Sequence, residues 1–197
     1  MKTYLLLFLC CLFFVSCEKD EWSNKGFEAI TEAMLYDSLT TAFNHDYYEI
    51  REFACWDSLD YHVKYAVGSY PLADSIFCSE GVDFSTADYC NFCSILSFIG
   101  TEPTFWTNYD DIVFFLAPID SYGEVLFLAH LKGYTFLMND DGFGIKKENG
   151  KYYLKALKLV LMCDPIQTDQ FYLEMDEGGK IKVLDRKVYS KLVGACI

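Results

Sequence analysis

Residues 148–154 read Glu148-Asn149-Gly150-Lys151-Tyr152-Tyr153-Leu154, and this stretch decides the fold of the C-terminal half. Asn-Gly before a run of strand-forming residues is the strongest short-range signal for a tight β-hairpin, because both residues tolerate the positive φ angles of the turn. The paired tyrosines favour a strand. Lys151, Lys155 and Lys158 would also fit one face of a helix, but the Asn-Gly turn leads us to predict a strand over residues 151–162.

Short apolar runs joined by turn residues surround this hairpin, a pattern typical of antiparallel strands. We predict strands in the runs 112–116, 125–129, 134–137, 143–145, 152–154, 170–175 and 180–184. The connecting turns are expected at 120–123, 139–142, 148–150 and 177–179. From Asp111 onward the chain is therefore expected to form a sheet of hairpins.

The N-terminal half carries apolar residues at helical spacing. The first predicted helix has an apolar face made of Phe27, Ile30, Met34, Leu35, Leu39 and Ala42. One bent helix or two short ones fit residues 46–67, and a third helix is expected from Thr86 to Phe98, with its cap at Ser85 and its end at Gly100. The predicted fold is α+β, a single domain over residues 25–197 in which N-terminal helices pack on a C-terminal antiparallel sheet of hairpins.

The order of helices followed by strands resembles the nuclear-transport-factor-like fold. The late hairpin of that family often combines a charged Gly-Lys turn with an aromatic and aliphatic strand, as residues 148–154 do. The helical half is longer here than is usual in the family. The resemblance implies a cone-shaped α+β fold, and no functional residue is carried over from it.

The N-terminus carries the features of a secretory signal. Lys2 supplies a positive end, and an uncharged apolar run extends from Tyr4 to Val15. A helix that spans a bilayer needs roughly 20 apolar residues, whereas a shorter run behind a positive end is typical of a cleavable signal. We therefore predict a signal peptide at residues 1–16.

The end of this run, Phe14-Val15-Ser16-Cys17, resembles the lipobox of bacterial lipoproteins. The resemblance implies that Cys17 is lipid-modified and becomes the first residue of the mature chain. Phe14 stands where the family usually has Leu, and two further cysteines precede the motif in the signal. The alternative is an ordinary secretory signal that ends near a cysteine.

Residues 17–24 form a charged stretch without apolar periodicity and are expected to act as a lipidated tether. Glu18, Lys19, Asp20 and Glu21 are similar to the surface-export signal of lipoproteins from the Bacteroidota. That similarity implies an outer-membrane, lipid-anchored protein on the cell surface. The alternative is a solvated linker.

Charge limits the possible partners. The chain has a net charge of −13, which becomes −14 once Lys2 is removed with the signal. This balance argues against a nucleic-acid partner and against polybasic adhesion to anionic lipid. The expected contact with the membrane is therefore the lipid anchor.

Six cysteines are expected to remain in the mature domain: Cys55, Cys78, Cys90, Cys93, Cys163 and Cys196. An even number outside the cytoplasm permits disulfide bonds. The close pair, Cys90-Asn91-Phe92-Cys93, is expected inside the third helix, which does not fit a redox motif at a helix N-terminus. Structural bridges and buried free thiols both remain open.

Sharp catalytic signatures are absent from the sequence, which has no phosphate-binding glycine loop, nucleophile elbow or His-Glu-x-x-His motif. His45 and His62 could form a cluster with Asp57, but nothing in their spacing requires it, and polar residues on solvated helix faces are the favoured explanation. His130 is expected to lie at a strand end. Residues 139–142 are expected to form a hairpin turn instead of a calcium loop. We predict no catalytic, metal-binding or cofactor-binding residue.

Aromatic side chains are the remaining candidates for ligand binding. Trp106 and Tyr109 lie in or beside the polar connection 101–110, where binding residues often occur, and are the predicted ligand-binding residues. Trp56, Tyr152 and Tyr153 are further candidates for stacking on a ligand. Alternatively, all of them fill the interface between helices and sheet.

Two functional hypotheses follow. The first is a non-enzymatic cell-envelope module that binds a glycan, a peptide or another envelope protein. The second is an extracytoplasmic enzyme with acidic catalytic residues. Paired carboxylates in a deep pocket would favour the enzyme, and an exposed aromatic or apolar surface would favour binding.

Overall fold

The computed structural model describes residues 22–54, 61–85, 90–140 and 142–196. These residues form antiparallel strands and a few short helices. The strands are β1 Glu28–Ala29, β2 Tyr47–Ala54, β3 His62–Gly68, β4 Val82–Asp83, β5 Asn91–Ile99, β6 Glu102–Trp106, β7 Gly144–Glu148, β8 Lys151–Met162, β9 Ile166–Met175 and β10 Ile181–Leu192. The helices are a 3-10 helix at Glu32–Leu35, α1 at Tyr109–Leu116 and α2 at Tyr122–His130.

The C-terminal sheet has the strand order β1-β7-β8-β9-β10, and every pairing is antiparallel. The predicted Asn-Gly hairpin is confirmed: Asn149 and Gly150 have φ angles of 53° and 75° between β7 and β8. The strand predicted over 151–162 coincides with β8. The hairpin predicted around residues 177–179 joins β9 to β10.

The helices predicted for the N-terminal half are wrong. Residues 47–54, 62–68 and 91–99 are strands of a second antiparallel sheet, the N-terminal sheet, in which β3, β2, β5 and β4 are neighbours and β6 also pairs with β5. Period-two alternation explains β2, where Tyr48 and Ile50 enter the main core and Glu49 and Arg51 point to the other face. Parts of the predicted helices, residues 55–60 and 86–89, lie outside the described residues.

A second, smaller core covers the other face of the N-terminal sheet. Tyr47, Leu96 and Phe98 are buried there beneath side chains of the 70–76 segment. Arg51 donates a hydrogen bond to the carbonyl of Ile76 and forms an ion pair with Glu49, which fastens the segment to the sheet. Both faces of β5 are covered, and six of its nine residues are apolar.

Helices occupy the two positions where the first strands of the sheet of hairpins were predicted. The runs 112–116 and 125–129 lie in α1 and α2. Asn108 caps α1 by accepting a hydrogen bond from the Asp111 amide at 2.9 Å. Ser121 and Glu124 form a capping box at the start of α2, and this box occupies the segment that was expected to be a turn.

The two helices lie between the two sheets and complete the main core. Every residue of α2 from Gly123 to Ala129 is buried, as expected for a helix covered on all sides. The ring of Tyr122 packs on Tyr152 of the C-terminal sheet, and His130 lies 3.7 Å from Glu52 of the N-terminal sheet. The predicted arrangement of N-terminal helices on one sheet is therefore corrected to a mostly β architecture in which two sheets enclose two short helices.

Glu124 is completely buried and holds the chain together at the start of α2. Its carboxylate accepts hydrogen bonds from the Thr40 amide and hydroxyl at 3.1 and 2.8 Å. It also accepts from the amides of Asp120 at 2.8 Å and Ser121 at 3.1 Å. Because all four hydrogen bonds join the carboxylate to neighbouring parts of the chain, this acid has a structural role.

The cysteines are divided between bridges and buried or partly buried thiols. Cys163 and Cys196 form a disulfide bond, and Cys90 is also disulfide-bonded. Cys93 lies in β5, so the prediction that the Cys90–Cys93 pair lies inside a helix is wrong. Burial raises the pKa of the Cys93 thiol well above its usual value, the opposite of what a reactive thiolate requires.

None of the helices in the described part of the chain has the length and apolar character needed to cross a membrane.

Candidate functional site

A cleft of about 520 Å³ opens between α1 and the start of β10. Its volume falls within the range of small-molecule sites, roughly 300–1,000 Å³. Four parts of the chain form it: the first turn of α1, the segment after α2, the middle of β8 and the β9–β10 turn. The lining residues are Tyr109, Asp110, Val113, Lys132, Tyr134, Lys158, Gly178, Gly179, Lys180, Ile181 and Val183.

Tyr109 forms one wall of the cleft because it is the first residue of α1. The Asn108 cap fixes the start of the helix, and Tyr109 then reaches across to the β9–β10 turn. Its hydroxyl donates a hydrogen bond of 3.0 Å to the carbonyl of Gly179. Burial, followed by the nearby charges of Asp110 and Asp176, raises the pKa of Tyr109, so the phenol stays protonated and remains a donor.

The β9–β10 turn depends on glycine at its closest approach to α1. Gly179 has a φ angle of 72°, and a Cβ atom there would lie 2.9 Å from Cγ1 of Val113. A side chain is excluded both by the backbone conformation and by the packing. Asp176 Oδ1 accepts hydrogen bonds from the amides of Gly178 and Lys180, both at 3.0 Å. The turn therefore fixes the backbone of Lys180 at the mouth of the cleft.

Two further lysines line the cleft. The ammonium of Lys158 donates a hydrogen bond of 2.7 Å to the carbonyl of Lys132 and lies 5.0 Å from the ring centre of Tyr134. The ammonium of Lys132 lies 3.5 Å above the ring centre of Tyr109. Lysine chains are flexible in solution, but cation–π contacts with these rings favour single positions.

The cleft is cationic within an acidic protein. Three lysines and one carboxylate, Asp110, line it, while the chain as a whole has a net charge of −13. Burial, and then repulsion from Lys132, lower the pKa of Lys158. An anion bound beside both ammonium groups would remove part of this penalty, so the electrostatics of the cleft favour an anionic ligand.

A second cavity of about 320 Å³ adjoins the cleft. Lys132 and Lys158 line both spaces, and Val82, Asp83 and Phe84 of the N-terminal sheet region close the second one. The two lysines thus stand between neighbouring cavities. A ligand with more than one unit could contact them from both sides.

The predicted ligand-binding residues Trp106 and Tyr109 occupy different environments. Trp106 is not among the residues that line the cleft. Its indole donates a hydrogen bond of 2.9 Å to Ser97 Oγ and packs against Phe43 and Phe115. Trp106 and Phe43 form a small aromatic patch with Phe114, an exposed residue of α1.

The histidines lie in three different places. His45 packs against Trp106 and Phe115, and His62 is exposed at the start of β3. His130 ends α2 instead of a strand. Asp57 lies outside the described residues. Among those that are described, no group of three His, Cys, Asp or Glu side chains is suited to hold a metal ion.

Glu52 is the centre of a polar cluster between the N-terminal sheet and α2. Its carboxylate accepts a hydrogen bond from the Tyr36 hydroxyl at 3.1 Å and forms an ion pair with the Lys64 ammonium at 3.1 Å. Burial alone would raise the pKa of Glu52, but the interactions with His130 and Lys64 outweigh it and lower the pKa. A carboxylate held ionised in this way is a poor general acid, so the cluster gives no support to acid catalysis at this position.

A comparison of the chain with protein-family models finds no match, and comparisons with curated proteins and with solved structures find none either.

Proposed function

We propose that this protein is a lipid-anchored envelope protein that binds an anionic glycan, without catalysing a reaction, in the cleft between α1 and β10. One observation carries the proposal. Lys132, Lys158 and Lys180 converge on a ligand-sized space in a chain whose net charge is −13.

The charge of the cleft selects the anionic part of the ligand. A carboxylate or phosphate bound in the cleft beside Lys132 and Lys158 would offset the repulsion between these two ammonium groups. Charge-assisted hydrogen bonds of this kind are about twice as strong as neutral ones. Asp110 at the rim would repel a second anionic group placed beside it, which makes the position of the anion specific.

The walls suit a sugar ring. The half-buried ring of Tyr109 is part of the lining, and apolar faces of sugars pack on such rings. Val113 and Val183 add apolar surface on the two sides. The Asp110 carboxylate can accept hydrogen bonds from sugar hydroxyls. An acidic sugar therefore satisfies the charge and the aromatic surface together.

The test uses isothermal titration of the full chain with trigalacturonic acid and with neutral maltotriose. Binding of the acidic sugar alone is the expected result. The variant Lys132→Gln with Lys180→Gln is expected to weaken it at least about tenfold, since each lost charge-assisted hydrogen bond is worth about 1.5–3 kcal/mol. Lys64→Gln with Lys191→Gln, which removes two charges from residues outside the cleft, is the matched control. Failure to bind, or equal losses in both variants, would refute the cleft as an anion site.

We also propose that Cys17 carries the lipid and that the domain is displayed on the cell surface. The Cys163–Cys196 disulfide supports an extracytoplasmic location, because such bonds persist in oxidising compartments. Mass spectrometry of the mature N-terminus tests the acylation. Protease shaving of intact cells tests the display. Replacement of Lys19, Asp20 and Glu21 by alanine is expected to protect the protein from the protease if these residues form the export signal.

A further inference from the structure

The first described residues of the chain are bound to the C-terminal sheet by a buried lysine. Lys155 of β8 is 1% exposed, and its ammonium donates hydrogen bonds to the carbonyls of Trp22 at 2.6 Å and Ser23 at 3.0 Å. A third bond of 2.6 Å goes to Asn24 Oδ1. A buried charge is stable only when its donors are satisfied, so this segment belongs to the folded structure.

Trp22 extends the contact to the edge strand. Its indole donates a hydrogen bond of 2.7 Å to Asp185 Oδ2, and the Lys187 ammonium lies 4.0 Å from its ring. The ring of Tyr172 in β9 is also in contact. Lys155, Tyr172 and Asp185 are opposite one another in the register of the sheet. They define the outer face of the C-terminal sheet, the face turned away from the main core.

The position of Trp22 limits where the domain can sit relative to a lipid on Cys17. The two residues are five positions apart in the sequence. Five residues span at most about 18 Å even when fully extended. The outer face of the C-terminal sheet is consequently the part of the domain that is tied closest to the anchored leaflet.

Charge is distributed unevenly between the two halves of the chain. Residues 26–131 contain 17 acidic and two basic residues, a net charge of −15. Residues 132–197 contain nine acidic and 11 basic residues, a net charge of +2. The first group builds most of the N-terminal sheet and the helices, and the second builds most of the C-terminal sheet.

The edge strand β10 concentrates the positive charge and adds apolar surface. Lys182, Lys187 and Lys191 lie on it with one acidic residue, Asp185, whereas the charge of Arg186 is paired with the buried carboxylate of Asp169. Val188, Tyr189 and Leu192 are about half exposed on the same strand. Basic residues interleaved with exposed apolar and aromatic side chains match the chemistry of a membrane interface, where phosphates meet acyl chains.

We propose that β10, together with the Trp22–Asn24 segment that covers the outer face of the C-terminal sheet, lies against the anionic phospholipid headgroups of the leaflet that holds the anchor, and that the acidic N-terminal sheet faces away. This orientation rests on the proposed lipidation of Cys17. The short connection to Trp22 places the face near the bilayer, and the charge difference between the halves selects which side turns toward the phosphates.

The test is amine-reactive labelling of the lipidated full chain, read by mass spectrometry. The protein is placed in vesicles of phosphatidylethanolamine with phosphatidylglycerol, or kept in detergent. We expect Lys182 and Lys191 to label about fivefold more slowly in vesicles, the factor that corresponds to about 1 kcal/mol per basic residue at an anionic surface. Lys64 of the N-terminal sheet should label equally in both. Equal labelling of all three lysines in both media would overturn the orientation.

Two double variants with the same charge change provide the control. We expect Lys187 also to label more slowly in vesicles than in detergent. Lys182→Gln with Lys191→Gln is expected to abolish this protection of Lys187 from the reagent, whereas Thr101→Glu with Thr104→Glu should preserve it. Loss of protection in both, or in neither, would contradict a specific basic face. The mass of the N-terminal peptide separates the two proposals: a chain without acyl groups on Cys17 would refute the anchor, while unprotected lysines on an acylated chain would refute the orientation alone.

Discussion

The indole of Trp22 donates a hydrogen bond to the carboxylate of Asp185, 163 residues later in the chain. This bond joins the beginning of the described structure to its last strand. Residues 17–24 were expected to act as a tether without packed structure, yet Trp22, Ser23 and Asn24 all contact the C-terminal sheet. Residues 22–24 of the expected tether therefore belong to the folded domain.

Trp22→Ala is expected to lower the free energy of unfolding by about 2–3 kcal/mol, because it removes the ring contacts together with a hydrogen bond to a charged acceptor. Trp22→Phe keeps most of the ring contacts and should cost less. Urea unfolding of both variants measures the difference. Equal stability of Trp22→Ala and the unmodified protein would show that the segment is not part of the cooperative fold.

Glu124→Gln is expected to lower the free energy of unfolding by about 1–3 kcal/mol. The carboxylate accepts four hydrogen bonds in a fully buried position. In glutamine, the side-chain NH2 group would replace one carboxylate oxygen and face N–H or O–H donors that it cannot accept from. Glu102→Gln, at an exposed position of β6, is the matched control and should change stability by less than about 0.5 kcal/mol. Thermal unfolding of the two variants under identical conditions provides the comparison.

Gly179→Ala is expected to be more destabilising than the same change at Gly194. Both glycines have positive φ angles, 72° and 79°, but only at Gly179 would an added Cβ atom meet neighbours within 4 Å, the closest at 2.9 Å. Gly194→Ala therefore measures the backbone cost, about 1 kcal/mol, and Gly179→Ala adds the clash with Val113. Binding of the acidic sugar should also weaken in Gly179→Ala, because the turn carries Lys180.

Stability is expected to fall in two steps as the pH decreases. Burial lowers the pKa of His45 below 6.5, with Asp46 offsetting part of the effect. The unfolded chain then binds a proton near pH 6.5 that the folded chain does not, so stability declines from there down to the folded pKa. Glu52 has a lowered pKa, so its contribution is present above 4.5 and is lost as the pH falls through its folded pKa.

His45→Phe is expected to remove the first step, because both ring nitrogens of His45 are buried without hydrogen-bond partners in the described part of the chain. The ring contacts with Trp106 and Phe115 should be kept. Unfolding free energies measured between pH 4 and 8 test this. If the loss of stability that begins near pH 6.5 has the same size in His45→Phe, a group other than His45 causes it.

The sequence contains signals that place the helices correctly. Ser121 and Glu124 are spaced as a capping box, and Asn108 precedes two acidic residues, as at many helix starts. Short apolar runs follow both signals, and such runs do not distinguish a buried helix from a buried strand. At β2 a helix was predicted where a strand forms. The alternation of Tyr48 and Ile50 with Glu49 and Arg51 is the signal that indicates this strand.

The cleft could be predicted only in part. Tyr109 stands out in the sequence through its place beside a polar connection. Lys158 follows from the strand prediction itself, because it comes after Tyr152, Leu154 and Ala156 at every second position and therefore points toward the core side. Lys132 and Lys180 have no local signal. They line the same cleft as Lys158 only through the packing of α2, which Lys132 follows, and of the β9–β10 turn, which carries Lys180.

Net charge also allows only an incomplete prediction. The expected net charge of the mature chain, −14, argues against adhesion of the whole protein to anionic lipid. A sum carries no information about position, however. The two-sheet architecture separates an acidic half from a slightly basic one, and this separation depends on which strands share a sheet.

The attachment of Trp22–Asn24 to Lys155 and Asp185 also determines how a pulling force would act on this domain. Tension transmitted through the N-terminus enters at the outer face of the C-terminal sheet and is shared at once between β8, a central strand, and β10, an edge strand. The helices and the cleft are not in the direct line of that force. Tension applied at the N-terminus would therefore detach residues 22–24 before it deformed the cleft.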